Sequence, residues 1–234
     1  MCGRYTSFTP VEELARYFGV EEVVAEDLGA RYNVAPTDPV YAVARHGGGL
    51  RLGTLRWGLV PPWADDLRVG SRLINARAET VAAKSAFRQA FAHRRCLLPA
   101  DGFYEWQPGE GDGARQPWYT RRRDGQPMAL AGVWETWRPA NGDGERVVST
   151  AIVTTAANET LAPVHHRMPV VLPAEAWPVW LDPDNHDVDT LSRLLVPAPE
   201  ELLVPVAVAP LVNKVANDGP ALVVPIPQRV APAS

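Results

Sequence analysis

The sequence predicts an α+β fold: a strand-dominated domain whose strands wrap one core, with a few flanking helices. Three observations carry this. Short runs that alternate in polarity or hold β-branched residues recur along the chain. Turn-forming residues separate them, as in His46-Gly47-Gly48-Gly49. No repeat is visible, and no shift in composition marks a linker long enough to separate distinct domains. Residues 1–234 are expected to form one domain, with Pro-rich coil from about residue 221.

Thr9-Pro10-Val11-Glu12 reads as an N-cap, a first-turn proline and a capping-box glutamate. The helix they open should run to Phe18 and stop at Gly19. Residues 39–45 and 50–57 are the arms of a hairpin about the glycine run. Residues 80–92 are expected to be helical, with Phe87 and Phe91 on one face. Strands follow at 95–100, 117–123, 127–136 and 148–155. The connections from Gln107 to Pro117 and from Pro139 to Glu145 are rich in turn formers. Short helices are expected near 174–180 and 187–196, then a strand near 202–208.

A chain of this length buries a full core, and its 46% hydrophobic content is ordinary for a globular protein. No apolar run is long enough for a membrane span, and no charged-then-apolar leader opens the chain. Two cysteines, Cys2 and Cys96, make no disulfide framework, so a reducing cytoplasm is expected. The net charge of −4 argues against a protein coated in positive charge, but a local basic groove for nucleic acid is compatible with it. Lys84 and Lys214 are the only lysines, so imine chemistry would fall to the chain terminus.

That terminus reads Met1-Cys2-Gly3-Arg4-Tyr5. A small residue after the initiator methionine permits its removal. The chain would then begin with a cysteine, carrying an α-amine and a thiol on adjacent carbons. Such a pair condenses with an aldehyde to an imine, which the thiol closes to a thiazolidine. With reference pKa values of about 7.7–8.0 for the amine and about 8.5 for the thiol, both nucleophiles are available near neutrality.

Three further segments place polar residues where a core prefers apolar ones. In Leu73-Ile74-Asn75-Ala76-Arg77-Ala78-Glu79-Thr80, period-two alternation would put Asn75, Arg77 and Glu79 on one face. That face suits a sugar-phosphate, or else holds a simple Arg77–Glu79 pair. In Pro99-Ala100-Asp101-Gly102-Phe103-Tyr104-Glu105-Trp106, aromatic surroundings would raise the Glu105 pKa and make it a usable acid–base. An edge-strand glutamate facing solvent is the alternative. In Val164-His165-His166-Arg167-Met168-Pro169, extended backbone would aim the two histidines at opposite faces, a poor pair for one metal. Trp134, Trp137, Trp177 and Trp180 are expected in packing, whereas Trp57 and Trp63 lie in a Pro-rich stretch where they could stack on bases.

Taken together and in order, these segments resemble the SRAP family of abasic-site-processing proteins. The matching stretches are MCGRY at the terminus, RYNVAPT at 31–37, RWGLVPPW at 56–63, LINARAET at 73–80, PADGFYEW at 99–106, TTAAN at 154–158 and HHRMPVVL at 165–172, with the tail 212–220. The resemblance implies an SRAP-type fold and a sensor that binds abasic sites in single-stranded DNA and links to them covalently. It implies Cys2 as nucleophile, Asn75 as a hydrogen-bonding group near its adduct, Glu105 as acid–base and His165 as a partner of the sugar oxygen. It further implies Arg4 and Arg77 on flanking phosphates, with Trp63, Trp106 and Thr154 along the DNA path. A monomer with no cofactor, metal or membrane association is expected, with strand cleavage and autopeptidase activity as possible accompaniments. Two other classes stay open. One is a thiol hydrolase using Cys2, Glu105 and His165. The other is a single-strand binder in which Cys2 is incidental.

Overall fold

The computed structural model describes residues 2–109, 113–139 and 144–227. Its strands are β1 (Arg4–Ser7), β2 (Glu22–Val23), β3 (Arg31–Val34), β4 (Pro39–His46), β5 (Gly49–Trp57), β6 (Asn75–Arg77), β7 (Arg95–Ala100), β8 (Gly102–Gln107), β9 (Gln116–Arg122), β10 (Met128–Trp137), β11 (Val147–Ala156), β12 (Arg167–Pro169) and β13 (Leu203–Ala207). Four short helices join them: α1 (Val11–Tyr17), α2 (Arg88–His93), α3 (Trp177–Leu181) and α4 (Val188–Arg193).

The larger sheet runs β12-β11-β10-β7-β4-β5-β2. β11 also pairs in parallel with β5, Ser149 opposite Arg56 and Thr150 opposite Trp57. That pairing closes β5-β4-β7-β10-β11 into a five-stranded barrel, and β6 adds to β11 in parallel. The smaller sheet runs β13-β9-β8-β1-β3.

Alternation sorts the barrel's apolar residues to two sides. Tyr41, Val43, Leu97, Ala131 and Val153 face out and are covered by Leu14, Phe18, Phe91, Trp180 and Leu191 from the helices. Val40, Ala42, Cys96, Leu98, Leu130 and Ile152 face in and meet Cys2, Tyr5 and Phe103 of the smaller sheet. Tyr5 packs edge-to-face on Trp57, ring centroids 5.2 Å apart, so the smaller sheet closes one mouth of the barrel. Gly132 lies on the inward row. A Cβ there would fall 2.8 Å from Cys96 Sγ, so only glycine fits without a shift.

The hairpin forms as expected, with Gly47 and Gly48 at φ 59° and 95°, the twist a two-residue turn requires. Other expectations are corrected. Pro10, not Thr9, caps α1, because the Thr9 hydroxyl donates instead to Asp101. Residues 80–87 form successive turns rather than helix, and α2 begins only at Arg88. Phe87 and Phe91 nevertheless share one buried cluster. The tail is not plain coil from 221: Pro220–Val223 forms a 3-10 turn, and Leu222 is buried against Tyr104 and Tyr119. Some residues of each turn-rich connection, 110–112 and 140–143, and the end of the tail lie outside the described residues.

Candidate active site at the closed mouth of the barrel

β1 lies antiparallel to β8, with Arg4 opposite Tyr104 and Tyr5 opposite Phe103, which carries the chain start toward Glu105. Cys2 is fully buried in the inward cluster. Asn75, at the head of β6, donates its amide to the Cys2 carbonyl at 2.8 Å. Its side-chain oxygen is buried without a partner. An acceptor left open beside Cys2 is suited to a donor that arrives with a ligand. Burial pushes the Cys2 thiol well above the ordinary thiol range, the Glu105 charge pushes it further, and the chain's α-ammonium works against both.

Glu105 is buried on β8, not exposed on an edge. Burial raises its carboxyl from 4.5 to about 7, against the pull of the α-ammonium. His165 lines the same tight recess, too narrow to hold a water molecule, with Phe103, Leu161, Val164 and Arg167. Its Nδ1 meets both the Arg167 backbone N–H at 3.0 Å and the Arg167 carbonyl oxygen at 3.2 Å, accepting from the first or donating to the second according to the tautomer. Burial lowers the His165 pKa and keeps the ring neutral. The backbone at 165–166 turns rather than extends, so the two histidine rings stack at 4.3 Å instead of pointing apart. Among the described residues no three His, Cys, Asp or Glu side chains gather as a metal site.

The Leu73–Thr80 segment departs from simple alternation. β6 ends at Arg77, and a turn carries Glu79 toward Arg167. Arg167 grips Glu79 with two bonds of 2.6 and 3.0 Å and gives a third, of 2.6 Å, to the Thr154 carbonyl. The Arg77–Glu79 pair that was the alternative reading does not form, because Glu79 is held by Arg167, and Arg77 is exposed. Thr154 is fully buried beneath Arg167, so it has no surface to offer a DNA strand. Arg167 and Glu79 are thus braces that single-residue reading missed. The signal was the arginine two residues after His165.

Arg4 bonds through one nitrogen to Asn33 Oδ1 at 2.8 Å and to the Val212 carbonyl at 3.0 Å. It also lines an open concavity with Gly3, Trp106, Arg115 and Asn213. Trp106 is held there by a 2.7 Å bond from its indole to Asn213. Trp63 is 61% exposed. Trp57 is wholly buried and donates to the Ile74 carbonyl at 3.0 Å, so it cannot stack on bases. Cys2, Asn75, Glu105 and His165 are therefore brought together, Arg4 and Trp106 share a neighbouring surface, and Trp63 projects into solvent.

A family model described as SOS response associated peptidase (SRAP) matches residues 1–215. The chain is 37% identical to the abasic site processing protein YoqW of Bacillus subtilis, over 95% of this chain and 99% of that one. It is 33% identical to the abasic site processing protein YedK of Escherichia coli, over 97% of this chain and all of that one. It is 32% identical to the abasic site processing protein HMCES of Gallus gallus, over 74% of this chain and 56% of the longer relative. Among solved structures, a Bacteroides thetaiotaomicron protein superimposes with a TM-score of 0.84 at 22% identity, covering 96% of this chain and all of that one. A Bordetella bronchiseptica protein does so with 0.75 at 28% identity, covering 89% and 100%.

Proposed function

The chain belongs to the SOS response associated peptidase (SRAP) family, and from that premise we propose that it recognises abasic sites in single-stranded DNA and links to them covalently through Cys2. The observation that carries this is the convergence at one barrel mouth. Cys2 is held by Asn75, beside a carboxyl poised near pH 7 and a neutral histidine in the same recess.

The chemistry follows from the protonation states. The buried thiol keeps its proton at rest, so the first nucleophile is the α-amine freed when Met1 is removed. The amine adds to the C1′ aldehyde of the opened deoxyribose, and the carbinolamine loses water to give an imine. The Cys2 sulfur then adds to the imine carbon. Its proton leaves and the nitrogen gains one, closing a thiazolidine with net loss of one water. Glu105, near-evenly divided between its two forms at pH 7, gives a proton to the departing hydroxyl and takes one from the thiol. His165, in the same recess as Glu105, hydrogen-bonds the sugar oxygen during ring opening. Asn75 fixes the Cys2 carbonyl and leaves its open oxygen for the adduct.

Arg4, Arg77, Trp63 and Trp106 are assigned to the strand on either side of the lesion. The test compares abasic and intact single-stranded oligonucleotides on a denaturing gel, with an aldehyde-free peptide substrate in parallel. A heat-stable band with abasic DNA alone supports the proposal. Peptide turnover without any DNA band overturns it.

A further inference from the structure

The loop before His165 fixes its backbone. The His165 N–H donates to the Leu161 carbonyl at 3.0 Å. Gln107, two residues past Glu105 on β8, donates its amide to the Pro163 carbonyl at 3.0 Å. The ring is set from the other side. Its Nδ1 lies 3.0 Å from the Arg167 N–H and 3.2 Å from the Arg167 carbonyl, so its orientation follows the Arg167 backbone.

Arg167 is in turn anchored by its side chain. It opens β12, which is only three residues long and lies at the edge of its sheet. Two of its nitrogens meet the two Glu79 carboxylate oxygens at 2.6 and 3.0 Å, the forked geometry that fixes a guanidinium in plane as well as in place. A third bond reaches the Thr154 carbonyl, which also accepts the Ala78 N–H at 2.8 Å. Thr154 pairs with Arg77 of β6 on one side and with Pro169 of β12 on the other. The grip therefore spans β11. It joins the strand that carries Asn75 to the strand that follows His165. The Arg167 bond holds the Glu79 carboxyl below its ordinary pKa, so the grip stays charged near neutrality.

We propose that Glu79 is a positioning residue for the reaction: acting through Arg167, it sets the His165 ring and its spacing from Asn75. This rests on the reading of the site as the place of abasic-site linkage. Glu79 is half-exposed, so its loss should cost little stability. Its effect should fall on the rate instead, because a reacting group displaced by a fraction of its contact distance loses much of its contribution.

The test uses the full chain and an abasic single-stranded oligonucleotide, with single-turnover crosslinking followed at rising protein concentration. The variants are Glu79→Ala, Glu79→Gln, His165→Ala and Glu79→Ala/His165→Ala, with melting curves to confirm folding. Side-chain ¹⁵N NMR of the His165 ring is recorded on the DNA-free wild type and Glu79→Ala. Glu79→Ala should lower the saturated rate about tenfold without raising the half-saturating concentration. Glu79→Gln, of equal length with one acceptor kept, should fall between it and wild type. The double variant should be no slower than His165→Ala, because the effect of Glu79 runs through that ring. The His165 ring signals should shift in Glu79→Ala. A wild-type saturated rate in Glu79→Ala overturns the proposal, as does a loss confined to half-saturation or one that adds in full to His165→Ala. If the wild-type chain forms no crosslink, the reading of the site fails by itself, and the ring signals decide the positioning: shifted signals support it and unmoved ones overturn it.

Discussion

Glu105 keeps its proton to about pH 7 because the fold withdraws it from water among Phe103, Leu161 and Val164. The same burial has a cost in stability that depends on pH. The folded-state pKa is raised from 4.5 to about 7, so the folded chain binds a proton that the unfolded chain has already lost across that window. Stability from this group is complete below pH 4.5 and declines as pH rises through 7, by roughly 3 kcal/mol at full ionisation. Glu105→Gln should therefore melt increasingly above wild type as pH climbs from 4.5 to 8, while crosslinking slows by about 10²–10⁴-fold. A melting difference that does not change with pH would contradict the raised pKa. At Arg77 the structure makes the opposite forecast. Glu79, its alternative partner, is held by Arg167, and Arg77 is exposed. Arg77→Ala should leave stability within about 0.5 kcal/mol and flatten the log-affinity against log-salt slope for single strands by about 0.7. A lower melting temperature with an unchanged slope would make Arg77 a brace instead. Glu105 was legible in the sequence through its aromatic neighbours. The Arg167–Glu79 grip was not, because it joins residues 88 apart across a turn that breaks the period-two pattern.

At the scale of elements, the site depends on a tail that reaches back to the chain start. Asn33 on β3 is buried and donates to the carbonyls of Val212, Lys214 and Asn217, while accepting from Arg4. Asp218 receives the Tyr32 N–H, and Asn213 holds Trp106. One buried amide therefore fastens the 212–217 segment beside β1. Asn33→Ala should cost on the order of 2–4 kcal/mol and raise amide exchange across 212–217, because one change removes its bonds to three carbonyls and to Arg4 and leaves the Asn217 carbonyl without Asn33. Unchanged exchange there would mean that the tail is held by its apolar contacts alone. The hairpin, the four central strands and the short C-terminal helices were readable from local pattern and turn chemistry. Residues 80–87 misled, because an apolar spacing that fits a helix face serves equally well in consecutive turns that bury Phe87. β1, β3 and β12 are three or four residues long. Strands this short carry almost no periodic signal, and pairing partners define them.

At the scale of the molecule, the decisive step is closure. β5 and β11 are about a hundred residues apart in sequence yet pair in parallel, and nothing local in either strand announces that contact. Closure gives the chain two mouths. The smaller sheet plugs one and places Cys2 against Asn75 there. Among the described residues no helix is long and apolar enough to cross a membrane. Cys2, Asn75, Glu105 and His165, the four candidate site residues, stood out in the sequence, but their convergence follows only from this topology. The most direct measurement is intact mass of the purified chain after reaction with an abasic single-stranded oligonucleotide, for wild type, Cys2→Ala and a form that retains Met1. The wild-type product should weigh the Met1-free chain plus the oligonucleotide less one water and should survive heating, with neither of the other two forms giving it. An equally stable adduct of the same composition in Cys2→Ala would contradict the assignment of Cys2 as the reacting residue.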